Sequence, residues 1–267
     1  MKTFTSRLGV LMILAALFGL VCSPAVLAGE MLRYSSSAQV RDAFGYEMMA
    51  AFSRETGVDV DLYTGSSDSA VNRLMSGYSD IASTVEDLGY RHQEYGYKQI
   101  PFCTAPLVVI TNVQTPIRSI TEKQLRAIFS GNILNWRELG GPDKPIIVVA
   151  PGKNTGAFKN FSLLALKRHD VRYDFMSYQS TMVSRIVKKV PWSISFITRG
   201  ANTTDEAIKI LDIGGISPES AKYPYTQTFS FVTKGDPQGA AKMLIDFSFS
   251  AKGQKIMRNF GMKPLSR

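Results

Sequence analysis

Four short loops carry the residues best suited to chemistry: Ser35-Ser36-Ser37, Gly65-Ser66-Ser67-Asp68-Ser69, Ser83-Thr84 and Gly152-Lys153-Asn154-Thr155-Gly156. Three of the four precede a helix-forming stretch. At a helix N-terminus the free backbone N–H groups and the positive end of the dipole favour an anion, and Ser or Thr hydroxyls add donors that rotate to fit it. Any one of these loops alone also reads as a plain helix cap, since Ser, Thr, Asn and Asp are the favoured capping residues. All four follow strand-like segments, and an α/β fold gathers such strand ends around one crevice. The candidate binding residues are Ser36, Ser37, Ser66, Ser67, Ser69, Thr84, Lys153, Asn154, Thr155 and Gly156.

Other chemistries find less support. The chain has no Gly-x-Ser-x-Gly elbow, no phosphate loop ending in Gly-Lys-Ser or Gly-Lys-Thr, and no Gly-x-Gly-x-x-Gly fingerprint. A hydrolase in which Lys153 activates Ser67 or Thr155 is an alternative, and it requires nucleophile and base within hydrogen-bond reach. His92 and His169 are the only histidines and lie far apart in sequence, so no zinc-type spacing exists and no metal or cofactor is expected. Cys103 follows Ile100-Pro101-Phe102 with no His nearby, which suits a buried inert thiol.

The elements that must position these loops alternate in type. Leu32–Tyr34 suggests a strand, Val40–Glu55 an amphipathic helix ending at Gly57, Val58–Tyr63 a strand, Ser67–Ser76 a helix closed by Gly77, and Asp80–Ala82 a very short buried strand. Pro106–Thr111 and Ile146–Ala150 are apolar strands flanking a helix at Thr121–Phe129 that Thr121 can cap. Helices at Ala157–Arg168 and Met182–Val190, strands at Ser193–Thr198, Ile208–Asp212 and Thr226–Thr233, and two helices, Gly239–Phe249 and Ala251–Phe260, complete the chain. Repeated βα steps of this kind predict a doubly wound α/β fold.

Residues 1–28 belong to a different category. Lys2 and Arg7 form a basic start, Leu8–Val21 is apolar, and Val26-Leu27-Ala28 supplies the small residues read by a signal peptidase, so a mature chain beginning at Gly29 is expected. The apolar run is too short to span a bilayer as a helix. Val21 before Cys22 stands where a lipidation signal would place a small residue. Beyond this leader Cys103 is the sole cysteine, so no internal disulfide can form. The formal net charge of +9 falls by two without the leader, and the remaining Lys and Arg are scattered. That distribution argues against nucleic acid and for a solvated basic surface.

The stretch Ile120-Thr121-Glu122-Lys123-Gln124-Leu125-Arg126-Ala127-Ile128-Phe129-Ser130-Gly131, continuing through Asn135-Trp136-Arg137-Glu138-Leu139-Gly140-Gly141 and Pro145–Val149, closely resembles the central segment of phosphate-binding proteins of ABC transporters. Gly57–Val60, Gly65–Ser69, Gly77 with Asp80–Ala82, and Gly261–Leu265 match the same family's spacing. The resemblance implies an α/β, two-lobed type II periplasmic binding protein fold, each lobe a doubly wound sheet flanked by helices. Residues 29–110 with 228–267 would form lobe 1, residues 111–227 lobe 2, and Leu107–Thr111 and Phe229–Thr233 the hinges. It further implies a periplasmic monomer that closes on a small oxyanion, phosphate foremost, and presents it to an ABC transporter permease at the inner membrane. A ligand-sensing accessory protein of the same fold is the alternative role.

The family's ligand positions are matched only in part. Its first loop offers Ser then Thr, here Ser37 then Ala38; its Ser-Ser-Arg after the short strand becomes Thr84-Val85-Glu86; and its Arg followed by Ser-Gly-Thr becomes Pro151 or Ala150 followed by Thr155-Gly156-Ala157. An Arg clamps an oxyanion through two parallel charge-assisted bonds, which Lys153 can replace only as a point charge. Glu86 would repel an anion if it faced the cleft. On this carry-over Ser37, Ser67 and Thr155 give hydroxyl bonds and the N–H groups near Ser69 and Gly156 give backbone donors.

Overall fold

The computed structural model describes residues 30–178, 180–200 and 203–267; the expected leader and its cleavage point lie outside them. Strand β1 (Met31–Ser37) runs parallel to β2 (Asp59–Gly65) on one side and to β3 (Ile81–Thr84) on the other. Between β1 and β2 the chain is helical from Ala38 to Thr56: α1 (Ala38–Val40), a π-helical turn (Arg41–Gly45) and α2 (Tyr46–Thr56). Helix α2 stops at Gly57, whose φ of 72° is a left-handed conformation that a side chain disfavours. Helix α3 (Ser67–Met75) joins β2 to β3, and a short α4 (Gly89–Glu94), not anticipated from the sequence, leads into β4 (Tyr97–Asn112).

Strand β4 is the axis of the molecule. Its first part, Tyr97–Pro106, pairs antiparallel with β10 (Thr226–Lys234), which also pairs with β3. Its second part changes partners, with Leu107–Thr111 beside β8 (Ser193–Thr198) and Val109–Asn112 beside β9 (Ile208–Ile213). The sequence suggested only Pro106–Thr111 because Lys98, Gln99 and Pro101 interrupt the apolar pattern. A register shift opposite Phe229/Ser230 leaves Phe102 as an extra residue beside Pro101, and a bulge is where a strand accommodates proline. Beyond β4 come β5 (Ser119–Ile120), α5 (Glu122–Ser130), β6 (Ile147–Pro151), α6 (Gly156–Leu164), β7 (Phe175–Ser177) and α7 (Ser180–Lys189). After β10 follow α8 (Gly239–Phe249), α9 (Ala251–Asn259) and β11 (Lys263–Pro264). Thr121 caps α5 in a full capping box with Gln124, as its position suggested.

The apolar residues separate along the same line, into two main cores and two smaller clusters, one around Val71 and Val232 and one around Val108 and Val187. One core is drawn from both ends of the chain, Leu32 to Ala105 and Phe229 to Met262, and centres on Phe102 stacked on Phe231 at 4.2 Å. The other is drawn from Leu107 to Tyr225 and centres on Phe161 stacked on Phe196 at 3.8 Å, with Trp136 fully buried beside them. Cys103 is buried, and burial pushes its thiol well above the usual range, so it is held as an unreactive thiol.

Three buried phenols give the fold an alkaline limit. Burial pushes Tyr34 up to about 12, its neighbours Ser36 and Ser83 only partly opposing this, and its hydroxyl donates to Ser83 Oγ at 2.7 Å. Burial likewise pushes Tyr225 up to about 12 and raises Tyr223, whose hydroxyl donates to the Leu107 carbonyl at 2.9 Å. In the unfolded chain tyrosine ionises near 10, so the stability gained by keeping these phenols neutral is complete below about pH 10 and is lost as pH rises towards 12. The denaturant midpoint is therefore expected to fall steeply between pH 10 and 12; a flat midpoint across that window would contradict it.

Candidate functional site

Two helices begin at one cleft. Ser66 caps α3 by accepting from the Ser69 N–H at 3.1 Å, and Thr155 caps α6 by accepting from the Phe158 N–H at 3.2 Å. Both caps line a cleft of about 620 Å³. From the first half of the fold come Gln39, Arg41, Asp42, Tyr46, Thr64 and Ser66, and from the second Asn154, Thr155, Tyr178 and Thr181. Two helix dipoles thus point their positive ends at a space shared by both halves, which is a setting for a small anion.

The cationic group there is one the sequence reading missed. Arg41 and Asp42 occupy the π-helical turn after α1, with Arg41 Nε 2.6 Å from Asp42 Oδ1. Arg41 Nη1 donates to the Tyr46 hydroxyl at 3.1 Å, and the guanidinium lies 5.5 Å from that ring's centroid. Gln39 is only 3% exposed, and its Oε1 has no hydrogen-bond partner. In the sequence Arg41-Asp42 looks like a solvated helix face. The inserted residue of a π turn, which brings both side chains to the cleft, leaves no pattern to read.

The structure gathers only some of the candidate residues. Ser66, Asn154 and Thr155 line the cleft, and Gly156, the next residue, is packed so tightly that a Cβ there would overlap Val85 Cγ2. Ser36 and Ser37 are buried; Ser83 donates to the Ser36 hydroxyl, which itself donates to the Ser37 carbonyl, and the Ser37 hydroxyl caps α1. The Ser67 hydroxyl accepts from the Val85 N–H at 3.2 Å, Ser69 Oγ donates to the Ser66 carbonyl, and Thr84 closes a turn with Glu86. These hydroxyls sit at strand ends and helix caps, and those of Ser37 and Ser67 accept there from backbone N–H groups, bonds that do not use their own O–H donors. Lys153 is exposed and lines a separate depression with Phe158, Ser162 and Arg168. It therefore replaces no arginine in the cleft, and the structure does not bring it to Ser67 or Thr155 as a hydrolase would need.

Glu86 faces a cation. Lys159 Nζ on α6 lies 2.9 Å from Glu86 Oε2 and 2.8 Å from Asp68 Oδ2. Burial acts to lower the Lys159 pKa, but the bonds to Asp68 and Glu86 outweigh it and the net shift is upward. Asn160 adds bonds to the Val85 carbonyl at 2.9 Å and to Gln227 Oε1 at 2.8 Å. One face of α6 is thereby tied to the loop after β3 and to the start of α3. In small-angle scattering, unliganded Lys159→Met is expected to have a larger radius of gyration than the wild-type protein. High salt is expected to enlarge the wild-type protein in the same sense, because partly exposed pairs are screened. Equal radii would show that other contacts alone hold the halves together.

One eleven-stranded sheet whose two parts share β4, with helix N-termini meeting at one cleft, defines a type II periplasmic binding protein fold. The PBP superfamily domain matches residues 28–252, and the chain belongs to that family. It is 28% identical over 209 residues to the phosphate-binding protein PstS of Borreliella burgdorferi, a match covering 72% of this chain and 74% of that protein. It is also 28% identical to PstS of Bacillus subtilis over 166 residues, 60% of this chain and 55% of that one. Among solved structures, a phosphate ABC transporter substrate-binding protein of Clostridium perfringens with bound phosphate superposes with a TM-score of 0.80 at 23% identity, over 89% of this chain and all of that one. A phosphate transport receptor of Vibrio cholerae gives a TM-score of 0.68 at 22% identity, over 87% and 99%.

Proposed function

We propose that this protein is exported to the periplasm, where it captures a small oxyanion, phosphate foremost, and hands it to an ABC transporter permease. The observation that carries this reading is the meeting of the Arg41 guanidinium with the capped N-termini of α3 and α6 in one cleft. A guanidinium supplies two parallel donors and the helix ends supply dipoles, so the cleft complements an oxyanion. The PstS names of the two sequence relatives support phosphate as the first ligand to test. No helix among the described residues is long and apolar enough to cross a membrane, which suits a carrier that meets its permease by docking.

In this reading lobe 1 comprises residues 29–110 with 228–267 and lobe 2 residues 111–227, and the protein works as a monomer. The hinge sits where β4 changes partners, at Ala105–Leu107, and at Tyr225, whose carbonyl accepts from the Leu107 N–H at 2.8 Å. Within Leu107–Thr111 and Phe229–Thr233, Val109–Thr111 and Ser230–Val232 are less suited to bend, because they are paired with strands on both sides. Calorimetric titration of the purified protein with phosphate and sulfate tests the reading. Saturable heat with at least one anion is expected, and its absence with both would count against oxyanion capture.

A further inference from the structure

We infer that the two lobes divide the work of capture: the anion lands first on lobe 2, at the N-terminus of α6, and Lys159 serves in turn as a charge that draws it there and as a strap that shuts lobe 1 over it. This rests on the oxyanion-capture reading and the division into lobes above. Charge is shared unequally along the chain. Residues 29–110 with 228–267 carry 13 Lys and Arg against 13 Asp and Glu, whereas residues 111–227 carry 16 against 9. The whole positive excess beyond the leader therefore sits on lobe 2. A field of one sign over a surface raises the local concentration of the opposite charge and the rate at which it arrives.

The same asymmetry holds at the cleft. On the lobe 1 wall the charge of Arg41 is matched by that of Asp42. The lobe 2 wall, Asn154, Thr155, Tyr178 and Thr181, brings no acid, while Lys153 is exposed beside Asn154 and Arg185 and Lys189 are exposed further along α7. Lys159 stands on the first turns of α6, beyond the Thr155 cap, and its bonds to Asp68 and Glu86 at 2.8 and 2.9 Å cross from lobe 2 to lobe 1. The lobes cannot part without breaking both. Parting frees a cation beside the α6 N-terminus and leaves two carboxylates on lobe 1 without it, so the open form is more polarised than the closed one. An anion is then attracted by one wall and repelled by the other. Once it is seated, closure returns Lys159 to Asp68 and Glu86 and brings up the Arg41 guanidinium as the clamp.

The test is stopped-flow mixing with inorganic phosphate, using the chain from Gly29 with a fluorophore on Met182→Cys, which is exposed on α7; Cys103 is buried and stays unlabelled. At an ionic strength of about 0.01 M, where the Debye length is about 30 Å, Lys159→Met is expected to slow association about threefold and to speed dissociation. Asp68→Asn combined with Glu86→Gln breaks the same bonds but keeps the cation. That variant is expected to speed dissociation too, with association as fast as in the wild-type protein or faster. Lys153→Gln, Arg185→Gln and Lys189→Gln together are expected to slow association about fivefold. Lys242→Gln, Lys252→Gln and Lys255→Gln, an equal loss of charge on exposed positions of lobe 1, are expected to slow it less than about twofold. Equal slowing by the two triple variants, or unchanged association in Lys159→Met, would overturn the inference while leaving oxyanion capture standing. Absence of phosphate binding by the wild-type protein in calorimetry would instead remove the reading on which it rests.

Discussion

Replacing Arg41 by alanine is expected to weaken oxyanion binding by about ten- to a hundredfold, because a hydrogen bond to a charged partner contributes roughly 1.5–3 kcal/mol. The effect should exceed that of Lys153→Ala, since Lys153 lies in a different depression and its charge is solvated. Arg41→Lys should recover only part of the loss, as an ammonium keeps the charge and gives up the fork. It also gives up the guanidinium's place over the Tyr46 ring. Titration of the three variants beside the wild-type protein checks this order. Full affinity in Arg41→Ala would place the anion on the helix N-termini alone.

The largest loss of stability is expected from Trp136→Ala. The indole is fully buried in the second core, and its N–H donates to the Trp192 carbonyl at 2.8 Å. Removing it loses apolar transfer energy and opens a cavity, about 3–5 kcal/mol together, while the Trp192 carbonyl keeps its bond from the Ile147 N–H. For a chain of this size that is a fall of roughly 6–20 °C in the melting temperature. The second lobe has its own core, so its transition should shift more than that of the first, and calorimetric scanning would show the trace broaden or split. A shift of only a degree or two would mean that the pocket collapses around the gap.

The sequence reveals the scaffold more fully than the site, for physical reasons. Helices α3, α5 and α9 carry caps and strong amphipathic spacing, and their bounds fall within a residue or so of the pattern. The long β4 escaped because its first half is half-exposed and contains Pro101, and α4 and β7 because three to six residues carry too little periodicity. At the site, the loops after β2 and β6 did come together, since strand ends in this fold converge. What the loops could not show is which hydroxyls remain available. Ser66 and Ser67 are adjacent and alike in sequence, and each accepts from one backbone N–H, yet only Ser66 lines the cleft. Arg41 and Asp42 were hidden for another reason: only the π turn distinguishes them from surface charges.

The two cores also set an order of assembly. The second is built from one unbroken stretch between Leu107 and Tyr225, whereas the first needs Leu32 and Met262 in the same place. Closing the longer loop costs more chain entropy before any contact rewards it, so the inner lobe can condense while the outer one waits for the C-terminal helices. A chain made N-terminus first therefore holds β1, β2 and β3 without β10 and α8 until its synthesis is complete. During that interval the uncovered apolar faces of Phe44, Phe52 and Phe102 are the part of the molecule most in need of protection from aggregation.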